Sequence, residues 1–119
     1  MTKQEMFDMA VRGLASQNWE PCTLHGSCMY SDNNGRHCAW GWVDPSISSG
    51  TIGPVLDLRD DGIGLAAQVN VGDLRFINDL QVAHDGSVGK DGLDRDRMRL
   101  AFKELAAEYE LTWPEGVEP

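Results

Sequence analysis

The chain has 119 residues, 41% of them hydrophobic, and a net charge of -9 from 10 Lys and Arg against 19 Asp and Glu. That length suits one domain with one core, and the charge repels phosphate backbones and anionic lipid surfaces. Three cysteines, an odd number, argue against a secreted disulfide framework.

The expected organisation is a single domain over residues 1–119, with a loose acidic tail from about Pro114. No stretch approaches the length of a membrane-spanning helix. The N-terminal residues include acidic groups where a secretory leader needs an unbroken apolar core, so a reducing cytoplasm is the expected location.

In chain order, Thr2 to about Gln17 reads as the first helix. Thr2 and Glu5 have capping-box spacing, and Phe7, Ala10, Val11 and Leu14 share one face, widened by Met6 and Met9. Gly13 costs helix propensity, and its use would be close approach by another segment. Asn18 to His25 reads as a connection. Cys28–Tyr30 and His37–Val43 read as paired strands, because Asn33-Asn34-Gly35 between them is a strong hairpin signal.

Asp44 to Gly64 reads as loop, with Val55–Leu58 a short strand or turn, and the type of Ile63–Val71 stays open. Asp73 is a good N-cap for a helix to about Asp85, lined inside by Leu74, Ile77, Leu80 and His84, with Gly86 to end it. A last helix from Asp91 or Asp94 carries the stripe Met98, Ala101, Phe102, Leu105, Ala106 and Tyr109, and Pro114 bars its continuation. The fold class expected is α+β: a small antiparallel sheet or β-hairpin packed against about three helices.

Several short motifs recur in order: Met6-Phe7-Asp8, Cys28-Met29-Tyr30, Gly35, Cys38-Ala39-Trp40-Gly41, Leu80-Gln81-Val82-Ala83-His84-Asp85, and Ala106-Ala107-Glu108-Tyr109-Glu110-Leu111. This pattern resembles a family of small, uncharacterised proteins of phages, prophages and bacteria. The chain departs from it at Trp42-Val43-Asp44-Pro45, where the family has an aliphatic pair, an aspartate and a tyrosine. Cys22 and His25 are also outside the pattern. The resemblance implies a mobile-element origin, action inside a host bacterial cell, and structural roles for Cys28, Tyr30, Gly35, Cys38, Ala39, Gly41, Gln81 and His84.

Four chemical readings compete. Zinc would draw on Cys22, His25, Cys28 and Cys38, with His37 beside them, although the spacing matches no common module. Cysteine chemistry would use Cys38 as nucleophile with His84 and Asp85, but neighbours on a helix end orient each other poorly. Cys28 and Cys38 could bridge across the hairpin, or serve as compact buried residues, which a reducing location favours.

The fourth reading is a binding surface, with Trp40 and Trp42 on one strand face and an acidic cluster of Asp57, Asp60 and Asp61. The basic residues Arg95, Arg97, Arg99 and Lys103 share one helix with Asp94, Asp96 and Glu104, so they make no basic stripe for nucleic acid.

The leading expectation is an accessory protein that binds a basic surface on a host protein, for example an inhibitor of a host defence such as a CRISPR surveillance complex. No cofactor is expected, and oligomeric state stays open. The alternatives are a small cysteine- or metal-dependent enzyme using Cys38 and His84, or a phage assembly protein.

Overall fold

The computed structural model describes residues 2–19, 23–24, 27–28, 30, 35–47, 55–85, 88–89, 92–93 and 95–118. Among these residues five α-helices carry the fold: α1 (Lys3–Ser16), α2 (Ala39–Val43), α3 (Val55–Asp60), α4 (Leu74–Asp85) and α5 (Arg95–Glu108). Two 3-10 turns, Gly64–Gln68 and Val71–Asp73, lead into α4. The expected α+β class is therefore wrong. Among the described residues, strand pairing is confined to two antiparallel ladders, Thr23–Leu24 with Ser27–Cys28 and Val88–Gly89 with Gly92–Leu93. Each is far too short to form a core layer.

α1 starts with the anticipated capping box. Thr2 N donates to Glu5 Oε1 at 2.9 Å, and Glu5 N donates to Thr2 Oγ1 at 3.1 Å. The Thr2 backbone N–H, and after it the Thr2 hydroxyl, favour the ionised Glu5 carboxyl and hold its pKa below the ordinary value. The buried face is Met6, Phe7, Ala10, Val11 and Leu14, the stripe expected, except that Met9 stays exposed.

Three helices finish with the same device. After α1, Asn18 has φ 57° while Trp19 N donates to Leu14 O and Asn18 N to Ala15 O. After α3, Gly62 has φ 71° while Ile63 N donates to Leu58 O and Gly62 N to Arg59 O. After α5, Glu110 has φ 56° while Leu111 N donates to Ala106 O and Glu110 N to Ala107 O. These are Schellman ends, which satisfy the last carbonyls of a helix and turn the chain back.

The hairpin needs the largest correction. Gly35 does adopt φ 83°, and Cys38 N donates to Tyr30 O at 3.4 Å, so the chain reverses and begins to pair. It then coils into α2 instead of extending. The extended Cys38 backbone is the N-cap, and its Sγ accepts the Gly41 N–H at 3.4 Å. Gln81 Oε1, from α4, accepts the Trp40 N–H at 2.8 Å. Two amides that a helix start leaves without partners are thereby satisfied. α2 ends where Asp44 N donates to Trp40 O at 2.8 Å, and Pro45 follows.

Two further expectations change. Val55–Leu58 is neither strand nor turn but the first part of α3, and Ile63–Val71 is mostly 3-10 turn. α4 and α5 agree with the sequence reading, with Ile77, Leu80 and His84 buried on α4 and Met98, Phe102, Leu105 and Ala106 on α5. Phe76, fully buried on α4, was not anticipated.

α2 packs on α1 and α4, and α4 packs on α5. An aromatic cluster fills the junction of α1, α5 and the chain's last turn: Phe7 lies 6.0 Å from Trp113, and Trp19 stacks on Trp113 at 6.2 Å. Gln4 holds the segment after α5 with three bonds to Thr112, at 2.9, 3.0 and 3.3 Å. Farther on, Pro114 is buried and Trp113 Nε1 donates to Val117 O at 3.0 Å.

Candidate functional site

The zinc reading gathers little support. Cys22 and His25 lie outside the described residues, as do the side chain of Cys28 and the turn 31–34. Cys38 is the N-cap of α2. Among the described residues, no three His, Cys, Asp or Glu side chains are grouped to hold a metal ion.

The nucleophile reading asks for a thiol that a substrate can reach. Cys38 is only 1% exposed, and His84 is fully buried. Both sit in the core where α2 meets α4, one turn from the Gln81–Trp40 bond. Asp85 closes α4, and its side chain lies outside the described residues. The structural-motif residues fare differently. Tyr30, Cys38, Ala39 and Gly41 are all buried around the start of α2, and Gln81 anchors it.

The tryptophan pair does not form one exposed face. In a strand, residues two apart point the same way; in a helix they diverge by about 200°. Trp40 accordingly turns into the core, and Trp42 lies half-buried on α1, where Gly13 lacks the Cβ that would overlap its ring. Gln17 Oε1 accepts from both Trp42 Nε1 at 2.9 Å and His37 N at 3.0 Å. The close approach expected at Gly13 is thus made by Trp42. Asp57, in the first turn of α3, and Asp60 and Asp61, at its end, are exposed, and the exposed Ile63 follows.

A different surface emerges between α4 and α5. A groove of about 340 Å³ has an apolar floor from Val82, Ala83, Ala101 and Leu105. Asp79, Glu104 and Glu108 rim it, with Arg97 the one cation among its lining residues. Val82 is 57% exposed, and Leu100, 56% exposed, flanks the same face one turn before Glu104. These are two of the four large hydrophobic side chains that stay exposed among the described residues. Sequence reasoning missed the groove. The available signal was Val82 and Leu100 themselves, apolar residues off the core-facing stripes of amphipathic helices.

One end of the groove is held by charge. Tyr109 Oη donates to Asp79 Oδ2 at 2.6 Å, and Arg75 reaches Asp79 at 4.0 Å and Glu108 at 3.7 Å. Burial, then the bond to Asp79 and its charge, push the Tyr109 phenol up to about 12, against a partial opposing effect of Arg75. A proton held more tightly in the folded chain stabilises it below the unfolded value of 10.0. That contribution is lost as pH rises toward 12. Tyr109→Phe is expected to cost about 1 kcal/mol at neutral pH and to flatten the decline in stability across that alkaline window. Urea melts from neutral pH to the alkaline limit check both; an unchanged alkaline decline would remove Tyr109 as its source.

The chain matches no family model, no curated protein and no solved structure. The resemblance to phage and bacterial proteins therefore rests on its motif residues only. Neither a phage origin nor a role as a defence inhibitor finds support in the fold or in these comparisons. Among the described residues, no helix is long and apolar enough to cross a membrane.

Proposed function

We propose that the protein is a non-enzymatic binding protein whose α4–α5 groove receives a basic amphipathic segment, helical in form, from a partner protein. The observation that supports this reading is the groove itself, an apolar floor with exposed Val82 inside a rim of three carboxylates. A helix with an apolar stripe flanked by Lys or Arg matches both features, the helix-in-groove mode of recognition. The net charge of -9 steers such a segment toward the chain and repels acidic competitors.

The reading keeps the basic partner expected from sequence but moves the contact away from Trp40, Trp42 and the α3 aspartates. Of those, Trp40 is buried and the aspartates are on another element.

Titration with a Lys/Leu amphipathic peptide, against a Glu/Leu peptide of the same pattern, tests it. The basic peptide is expected to bind saturably, with NMR shifts confined to α4 and α5. Val82→Asp should weaken binding by about tenfold or more, and Glu104→Lys with Glu108→Lys should weaken it and flatten its salt dependence. Shifts scattered over the acidic surface, or affinity unchanged in Val82→Asp, would overturn the groove as the site.

A further inference from the structure

One end of the α4–α5 groove already holds a cation. Arg75, in the first turn of α4, places Nε 4.0 Å from Asp79 Oδ2 and a terminal guanidinium nitrogen 3.7 Å from Glu108 Oε1. It thereby reaches across from α4 to α5 and rests on two of the three carboxylates that rim the groove.

The hold on Arg75 is weak. Its side chain is 81% exposed, where an ion pair contributes little. Both separations exceed hydrogen-bond length. A cation in the first turn of a helix also opposes the helix dipole, and a base four residues before an acid is the poorer order for such a pair.

The seat beneath it is firm by contrast. Tyr109 Oη donates to Asp79 Oδ2 at 2.6 Å, and the Tyr109 ring meets the fully buried Phe76 edge-on at 4.9 Å. Asp79 is therefore fixed by a side chain that is itself packed. A loosely held guanidinium over a fixed carboxylate is the arrangement needed where an incoming group takes its place.

We propose that Asp79 and Glu108 form the seat for an arginine of the partner segment, and that Arg75 is a resident stand-in displaced when the segment enters. This rests on the groove reading above and adds to it an anchor residue and a competitor. Arginine suits the seat better than lysine, because two nitrogens of one planar guanidinium reach acceptors on separate helices, as Arg75 does, whereas an ammonium is a point charge. Val82 lies one turn along α4 from Asp79, so the seated arginine stands three or four residues from an apolar side chain that covers Val82.

The test uses an Arg/Leu amphipathic helix and a Lys/Leu helix of the same pattern. Each is titrated into the wild type, Arg75→Gln, Glu108→Gln, the double variant of the two, and Arg12→Gln. Arg75 is exposed, so its replacement leaves the core untouched. Arg12, exposed on α1 and outside the groove, reports the effect of net charge alone.

Arg75→Gln is expected to tighten binding of the Arg/Leu helix by about two- to fivefold. Arg12→Gln should change it less, and the gain should vanish when Glu108→Gln is already present. The wild type should bind the Arg/Leu helix more tightly than the Lys/Leu helix. Unchanged or weaker binding in Arg75→Gln overturns the seat, as does an equal gain in Arg12→Gln or a gain that persists in the double variant. Equal affinity for the two helices overturns arginine as the anchor. Val82→Asp separates the two levels. If it weakens binding while Arg75→Gln brings no gain, the groove stands and the seat alone is lost. If neither helix binds saturably, or Val82→Asp has no effect, the groove falls and the seat with it.

Discussion

Gly41→Ala is expected to lower stability by about 3 kcal/mol, a fall in Tm of roughly 10 °C for a chain of this size. A Cβ at position 41 would overlap the carbonyl oxygen of Tyr30. That oxygen belongs to the main chain, and it is held by the Cys38 N–H at 3.4 Å while the Tyr30 side chain is 2% exposed. Neither partner has an inexpensive way to move. The gain of about 1 kcal/mol that alanine brings to a helix interior only partly offsets the overlap.

Gly13→Ala makes a useful comparison, because its added Cβ overlaps the Trp42 side chain at its root, including a Cβ that no change of rotamer moves, and the indole is tied to Gln17. It should also cost on the order of 2–3 kcal/mol. Gly72→Ala, where a Cβ meets nothing within 4 Å, should lie within about 0.5 kcal/mol of the wild type or slightly above it. Thermal and urea melts of the three variants give the order. A Gly41→Ala protein that melts with the wild type would mean that α2 does not lie against Tyr30.

That same segment shows why part of the fold was legible and part was not. α1, α4 and α5 declare themselves because each is long enough for a 3.6-residue period to repeat, and Thr2 and Asp73 mark two of the starts. α2 has five residues, too few for any period, so the Asn-Gly signal before it dominated the reading. Its helical state is decided elsewhere, by Gln81 on α4 and by the absence of a side chain at Gly41. α3 was hidden for the same reason of length, although Gly62 marks its end.

The site was harder still. Cysteines, histidines and tryptophans draw attention in a sequence, and here most of the described ones serve the core. Val82 and Leu100 attract none until α4 and α5 are placed side by side. That the buried Trp40 Nε1–H meets no acceptor among the described residues is a property of three-dimensional packing, since an indole N–H is paired or not by residues from other elements.

Asp44→Ala is a further substitution expected to be severe, at about 3 kcal/mol. Asp44 is 4% exposed, and sequence reading assigned it no role. Its Oδ2 accepts the Leu65 N–H at 2.9 Å, and its Oδ1 accepts both the backbone N–H of Ser46, at 3.3 Å, and the Ser46 hydroxyl. One carboxylate therefore joins the exit of α2 to the 3-10 turn Gly64–Gln68. Hydrogen bonds to a charged acceptor are worth about 1.5–3 kcal/mol each, and alanine would leave two backbone donors short of their partner.

Three variants separate these contributions. Asp44→Asn keeps one acceptor oxygen but sets an NH₂ group against a donor, so it should cost roughly half as much as alanine. Ser46→Ala removes only the hydroxyl bond and should cost about 1 kcal/mol. If Asp44→Ala is no worse than Ser46→Ala in denaturant melts, the link to Leu65 carries no weight.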